Sequence, residues 1–213
     1  MKTIILALFI AISLSGCGGG ARPNPLVHIQ LFGDSTAYPP EILQQAMNEK
    51  YGYGVVSIEF RAMGGTDSKM LIDGVDGKNK PWPQSVDADI IIVNMGINDQ
   101  YFSVTPEKYK DNLRLIASTK AKIFFQTPLP AWRASVLAPS YTPVMQFVAA
   151  ELNAPIADAY GFALSLPEWY GTYMKDGIHP LDDGYRLLIA KVLMPAIDDL
   201  ITSVLKQKTP QAS

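Results

Sequence analysis

One of the two histidines in this 213-residue chain stands in the segment DGIHP, three residues after an acid. Residues three apart can face the same side of a turn, so Asp176 and His179 can lie together. A neutral imidazole can take up a proton near pH 7, and a carboxylate on its other nitrogen fixes its tautomer. Gly177 lets the backbone turn, and Pro180 disfavours the helical region for His179. The segment therefore carries the chemistry of a general base with its orienting acid.

A base of this kind can activate a hydroxyl group, and the candidate nucleophile is Ser35 in the segment FGDST. A serine hydroxyl attacks weakly at neutral pH unless a base lies within hydrogen-bond reach. Acyl transfer to serine then places negative charge on the former carbonyl oxygen, which needs preorganised hydrogen-bond donors. Three groups could supply them: the Ser35 amide at the start of a predicted helix, the amide of Gly64 or Gly65 in GGTDS, and the Asn98 side chain in GIND.

Each of these polar segments follows a stretch that is predicted to be a strand. Apolar and β-branched runs predict strands over 26–32, 55–60, 88–95, 121–127 and within 154–160. Apolar residues at helical spacing predict helices over 41–52, 67–73, 106–119, 142–153 and 182–205, the last starting at a possible Asp182 N-cap and kinked or divided by Pro195. This alternation predicts a parallel sheet covered on both faces, in one three-layer domain. The loops at the carboxyl ends of its strands should therefore meet at one crevice.

Composition and charge narrow the class of protein. Hydrophobic residues make up 48% of the chain and charged residues 18%, which is typical of a single globular domain, predicted here over 26–207. The formal net charge is −2, so no basic field is available to hold nucleic acid.

The N-terminus differs in kind from the rest of the chain. Residues 1–16 have a Lys at position 2 and then an apolar run too short to span a bilayer comfortably, as in a secretory signal. The segment LSGC resembles the bacterial lipobox, which implies cleavage before Cys17 and acylation of that residue. Residues 17–25 are rich in Gly and Pro and are predicted to be a flexible tether. A lipid-anchored protein of the bacterial cell envelope is expected, at the outer membrane or periplasmic face; a plain signal peptide and a buried first helix are the alternatives.

Taken together and in order, FGDST, GGTDS, GIND and DGIHP resemble the four motif blocks of the SGNH, or GDSL-like, hydrolase superfamily. They span residues 33–180. The resemblance implies Ser35 as nucleophile with Asp176 and His179 as its partners. It also implies a flavodoxin-like three-layer α/β/α fold with a five-stranded parallel sheet, and neither a metal nor a cofactor.

The resemblance further implies two oxyanion donors, Gly65 and Asn98, beside the Ser35 amide. Ungapped placement of the second block favours Gly65, whereas the Gly-x-Thr pattern that is usual in the family favours Gly64. The first block departs from the family's longer form at Thr36, where Leu is common, and this does not affect the chemistry.

Other residues near the predicted strand ends have simpler interpretations. Asp34 is expected to bond loop amides, and Asp99 to satisfy turn amides. Asp158 is the rival for the acid role but has no nearby histidine in the sequence. His28 lies inside the first strand and is expected to be a packed or edge residue. Among the many loop aromatics, Trp132 and Tyr173 are the candidates for the wall of a substrate pocket, although some loop aromatics must belong to the core.

These patterns favour a serine ester hydrolase that forms an acyl-Ser35 intermediate, acting on short-chain or acetyl esters that include O-acetylated carbohydrate. Short acyl groups are favoured because the chain has no long insertion rich in Leu and Phe that could form a lid. Two alternatives stay open. One is a lysophospholipase or thioesterase type of acyl hydrolase, and the other is a surface lipoprotein that binds a glycan or a protein without catalysis.

Overall fold

A computed structural model describes residues 26–131 and 141–209. Five parallel strands form one sheet in the order β2-β1-β3-β4-β5. Their bounds are Val27–Gly33 (β1), Val56–Phe60 (β2), Ile90–Asn94 (β3), Lys122–Gln126 (β4) and Ile156–Ala157 (β5). The predicted five-stranded parallel sheet is therefore confirmed.

The strand register brings the carboxyl ends of the central strands to the same edge. Asn94 at the end of β3 pairs with Gly33 of β1 on one side and with Gln126 of β4 on the other. All five residues of β3 are buried, as expected for a central strand covered on both faces. The loops that leave β1, β3 and β4 therefore start level with one another.

Eight α-helices flank the sheet in the described residues. Their bounds are Pro40–Tyr51 (α1), Ser68–Asp73 (α2), Ile97–Tyr101 (α3), Pro106–Ala117 (α4), Tyr141–Glu151 (α5), Ala159–Leu164 (α6), Asp182–Leu188 (α7) and Met194–Lys208 (α8). Two π-helical turns occupy Trp169–Tyr173 and Ile189–Leu193. Six helices match the five predicted segments, because the last segment is divided into α7 and α8, whereas the short helices α3 and α6 were not predicted.

Alternation along the strands separates two hydrophobic cores, one on each face of the sheet. Ile90 and Ile92 pack with buried residues of α1, α6, α7 and α8, whereas Ile91 and Val93 pack with those of α2, α4 and α5. Successive side chains of a strand point to opposite faces, so one apolar strand can serve both cores. This arrangement confirms the predicted three layers.

The C-terminal helical segment is divided near Pro195, as predicted. Pro195 lies in the first turn of α8, where its missing amide hydrogen is tolerated, and the π-helical turn Ile189–Leu193 joins α8 to α7. The prediction of Asp182 as N-cap of this segment is wrong. Leu181 holds the N-cap position with extended dihedral angles and no side-chain cap, and Asp182 is already helical.

No helix within the two described ranges is long and apolar enough to cross a membrane.

Candidate active site

The residues between the π-helical turn Trp169–Tyr173 and α7 form a tight turn that holds the Asp176 carboxylate and the His179 imidazole side by side. Met174 and Pro180 form an antiparallel bridge, and the Lys175 amide donates to the carbonyl of His179 at 2.8 Å. Gly177 has a φ of +80°, a left-handed conformation that favours glycine. The turn proposed from the sequence is therefore present, with glycine at the position that requires it.

Ser35, His179 and Asp176 form a continuous chain of hydrogen bonds. His179 Nε2 lies 2.8 Å from Ser35 Oγ, and His179 Nδ1 lies 2.8 Å from Asp176 Oδ2. A carboxylate can only accept, so Nδ1 of the neutral ring carries its hydrogen and Nε2 is free to accept from the serine hydroxyl. The structure thus brings Ser35, His179 and Asp176 together, although Ser35 and His179 are 144 positions apart in the chain.

Asp176 is held in its charged form by the turn itself. The His179 amide and imidazole donate to its carboxylate, and the Ile178 amide adds a third bond, so the pKa of Asp176 lies well below its usual range. A carboxylate that stays ionised near neutral pH can stabilise an imidazolium beside it.

Ser35 occupies a turn and not the start of a helix, so that detail of the sequence prediction is wrong. Helix α1 begins only at Pro40, because Pro39 and Pro40 follow Tyr38 and a residue before proline is disfavoured in the helical region. The Ser35 amide donates no hydrogen bond to any residue in the described ranges. It is therefore available to a ligand at this position.

Asp34 fixes the turn that carries Ser35, as expected. Its Oδ1 accepts from the amide of Thr36 at 2.8 Å and from the hydroxyl of Thr36 at 2.7 Å. Its Oδ2 is buried and has no partner among the described residues, and burial raises the pKa of Asp34 from the ordinary 3.8 to about 6. Thr36, to which sequence reasoning gave no role, supplies both donors.

The raised pKa of Asp34 predicts that this residue stabilises the protein less as pH rises. Between about pH 4 and 6 the folded state keeps a proton on Asp34 that the unfolded state has lost, so the contribution of Asp34 to the free energy of unfolding falls by about 3 kcal/mol over this window. Asp34→Asn keeps an acceptor for Thr36 and removes the ionisation. We expect urea unfolding to show this variant more stable than the wild type by about 2 kcal/mol at pH 8, with no such gain at pH 4. Asp111→Asn, at an exposed site, is the control, and parallel pH profiles for wild type and Asp34→Asn would contradict the prediction.

The glycine pair of the second block lies beside the serine. A Cβ added to Gly64 would lie 3.6 Å from the Cβ of Ser35, whereas Gly65 has a φ of +79° and open space around it. The two glycines are the central residues of a turn closed by the Thr66 amide and the Met63 carbonyl at 3.3 Å. Neither glycine amide donates a hydrogen bond within the described residues. Gly64 is thus the glycine next to Ser35, and the choice of Gly65 as oxyanion donor stays a prediction.

Asn98 connects the glycine turn to the loop that follows β3. Its Nδ2 donates to the Thr66 carbonyl at 3.1 Å, which uses one of its two hydrogens and leaves the other for a ligand. Asn98 lies in the first turn of α3, which starts directly after Gly96.

A buried polar cluster connects the segment after the glycine turn to the loop that follows β3. Asp99 is fully buried and accepts from the amide of Ser68 at 3.1 Å and from its hydroxyl, and Asn112 Nδ2 donates to the same hydroxyl at 2.8 Å. Burial raises the pKa of Asp99 to about 7. Asp99 therefore bonds the first residue of α2, 31 positions away in the chain, and not the turn amides that were expected. The role of Asn112 was not predicted from the sequence. The feature that could have indicated it is a polar residue on the otherwise apolar side of α4.

A small, partly enclosed cavity lies beside α3. Its lining includes Ile97, Gln100, Leu129, Tyr141, Tyr160 and Tyr170. Of the two aromatic residues predicted to wall a pocket, Trp132 lies outside the described residues. Tyr173 is half-buried and packs its ring on Trp169, with a centroid separation of 5.7 Å.

The remaining candidates have structural roles. Asp158 caps α6 by accepting from the Gly161 amide at 3.0 Å, so its carboxylate is already used. His28 Nδ1 lies 2.8 Å from Ser57 Oγ on the neighbouring strand, and its ring is half-buried. The described residues contain no group of three or more metal-ligating side chains of the His, Cys, Asp or Glu type. Cys17, like the whole of residues 1–25, lies outside the described residues.

The parallel three-layer fold with four motif loops at one edge defines a member of the SGNH, or GDSL-like, hydrolase superfamily. The profile of the GDSL-like lipase/acylhydrolase family matches residues 30–187, which include all three residues of the hydrogen-bonded chain. The protein belongs to this family and is a carboxylic ester hydrolase.

Solved structures with the same fold have low sequence identity to this chain. The lipase/acylhydrolase from Enterococcus faecalis is 22% identical with a TM-score of 0.65, covering 88% of this chain and 100% of its own. An α/β hydrolase from the metagenome of Lake Arreo is 17% identical (TM-score 0.66; 85% and 99% coverage). An acetylxylan esterase from Geobacillus stearothermophilus is 15% identical (TM-score 0.65; 83% and 96% coverage). No curated protein sequence matches the chain significantly.

Proposed function

We propose that the protein hydrolyses esters through a covalent acyl-Ser35 intermediate. The observation that carries the proposal is the unbroken hydrogen-bonded chain from Ser35 Oγ through the His179 ring to Asp176. As Ser35 Oγ attacks the ester carbonyl carbon, His179 takes the hydroxyl proton, and Asp176 stabilises the imidazolium. Collapse of the tetrahedral intermediate breaks the bond to the alcohol, which leaves with the proton from His179. A water molecule then attacks the acyl-Ser35 ester with His179 again as base, and the acid is released.

The negative charge of the tetrahedral intermediate needs donors on one side of Ser35. The Ser35 amide, the amides of Gly64 and Gly65, and the second hydrogen of Asn98 Nδ2 are the groups with unused donors around the serine. Donors that are already fixed need no reorganisation during the reaction. The Thr66 and Asp99 contacts described above hold these donors in place.

The acyl group is proposed to be short, with acetyl esters, including O-acetylated carbohydrate, as the favoured substrates. The cavity beside α3 is small, and Ile97, one of its lining residues, directly precedes Asn98 in the chain. An enzyme that acts on acetylxylan has the same fold. A lysophospholipase or thioesterase would need room for a long chain, and a non-catalytic binding protein would have no use for a serine bonded to a histidine.

We further propose that residues 1–16 are a lipoprotein signal, that Cys17 carries the lipid and that residues 17–25 are the tether. Strand β1 runs from Val27 towards the site at Ser35, so the described chain begins about 20 Å from the site, at the opposite edge of the sheet. Incorporation of labelled fatty acid at Cys17 is the measurement that bears on this proposal.

The acyl-length dependence of hydrolysis tests the proposed substrate class. With p-nitrophenyl esters from C2 to C16, we expect kcat/KM to be highest at C2 to C4 and to fall at least tenfold by C8, because a site for a short acyl group has no room for longer chains. A maximum at C12 to C16 would replace the proposal with a long-chain acyl hydrolase. Absence of turnover together with absence of fluorophosphonate labelling at Ser35 would favour the binding protein.

A further inference from the structure

Two adjacent aromatic side chains stand in solvent at the end of α3. Tyr101 is 58% exposed and Phe102 is 48% exposed, and neither packs against the two hydrophobic cores. Their rings contact each other edge to face, with centroids 5.1 Å apart. Contiguous exposed apolar surface on a soluble protein commonly marks a binding site. We refer to Tyr101 and Phe102 as the aromatic pair.

The aromatic pair lies on the same side of α3 as the proposed oxyanion donor. Tyr101 and Phe102 follow Asn98 by three and four residues, and positions so spaced are neighbours on a helix surface. The Phe102 amide donates to the Asn98 carbonyl at 2.8 Å, so the helical turn continues through this position. The pair therefore begins about one helical turn, roughly 5 Å, from the residue that would contact the reacting ester.

The chemistry around the aromatic pair suits a sugar ring better than a membrane. The Tyr101 ring has a hydroxyl group at the edge of its apolar face, and neither ring of the pair is charged. An aromatic face with a hydroxyl group at its edge can stack on the apolar face of a sugar and bond its hydroxyl groups. Residues 97–107 contain no Lys or Arg, although Lys108 and Lys110 follow on α4, and the formal net charge of the chain is −2. A basic patch for an anionic lipid surface is therefore not part of α3 or of the loop after it.

We propose that the aromatic pair forms a subsite for a sugar ring of the alcohol part of the substrate, which makes the substrate an O-acylated saccharide. This inference rests on the proposed ester hydrolysis at Ser35 and adds to it the residues that select the substrate. The subsite contributes binding energy to esters that carry a saccharide and none to small esters, so it raises the preference for the former.

The test compares two esters that differ in the alcohol, partially acetylated xylohexaose and ethyl acetate, with acetate release measured by pH-stat. For the double variant Tyr101→Ala/Phe102→Ala, the ratio of kcat/KM for the saccharide to that for ethyl acetate is expected to fall 10- to 100-fold, mainly through KM. The control is the double variant Tyr53→Ala/Phe147→Ala, which removes two aromatic rings of similar exposure elsewhere and is expected to keep the ratio.

Failure of the subsite and failure of the proposed function give different results. An unchanged ratio in the Tyr101→Ala/Phe102→Ala variant, or a wild type that hydrolyses only ethyl acetate, overturns the subsite while ester hydrolysis stands. If the wild type hydrolyses neither ester, even at high substrate concentration, the proposed ester hydrolysis at Ser35 is itself overturned. Binding of the wild type to phosphatidylglycerol vesicles that is lost in the double variant would assign the aromatic pair to a lipid surface and would also overturn the subsite.

Discussion

Ser35→Ala is expected to lower kcat for ester hydrolysis by about 10,000-fold or more, with little change in KM. Among the described residues, Ser35 has the hydroxyl that is placed to form the acyl intermediate, since its Oγ lies 2.8 Å from His179 Nε2. Removing it leaves the oxyanion donors and the binding surface intact, so substrate should still bind. Steady-state kinetics with p-nitrophenyl acetate, with stopped-flow mixing for the wild type, measures both constants.

Ser118→Ala is the matched control for this variant. Ser118 is exposed, and its hydroxyl donates only to the Leu115 carbonyl at the end of α4. It should retain wild-type kcat and KM. If Ser35→Ala retained more than a tenth of wild-type kcat, Ser35 could not be the nucleophile, and a water molecule activated directly by His179 would become the mechanism to consider.

His179→Gln is expected to lower kcat to a similar extent, by about 10,000-fold or more. Glutamine can still donate to Asp176 and accept from Ser35, but its amide cannot take up the serine proton near neutral pH. The loss therefore isolates proton transfer from simple positioning. It is measured with the same substrate, after circular dichroism confirms that the fold is retained.

The chain supplies an internal control in its other histidine. His28 bonds Ser57 between β1 and β2, inside the strand and away from the carboxyl ends of the sheet, so His28→Gln should keep wild-type kcat. Equal losses in the two histidine variants would indicate that histidine substitution disturbs the fold, and would contradict the assigned role of His179.

The meeting of Ser35 with His179 could be predicted because it depends on two strong patterns. Alternating strands and helices require a parallel sheet, and a parallel sheet brings the loops after its strands to one edge. Asn94 pairs with Gly33 on one side and with Gln126 on the other, so the ends of these three strands do lie side by side. The bond from Asp176 to His179 depends only on local geometry, the three-residue spacing and a glycine at φ +80°.

Features that depend on tertiary contacts were not predictable from local patterns. Helices α3 and α6 have five and six residues, which gives an apolar face little length to show, although α2 of six residues was predicted. Helices of this length form only when packing supports them. The role of Asn112 depends on Ser68, 44 positions away, and no local signal connects the two. The helix start expected at Ser35 failed because Pro39 and Pro40 delay α1, an effect that is visible in the sequence but was outweighed by the strand-to-helix pattern.

The central claim is that His179 activates Ser35 for covalent attack, and intact-protein mass spectrometry after treatment with a fluorophosphonate tests it most directly. The wild type is predicted to gain one phosphonyl group, located at Ser35 by peptide mapping. Ser35→Ala is predicted to gain none, and His179→Gln to react at least 100-fold more slowly, while Ser118→Ala and His28→Gln react at the wild-type rate. Stoichiometric labelling at a residue other than Ser35, or an undiminished labelling rate in His179→Gln, would contradict the account.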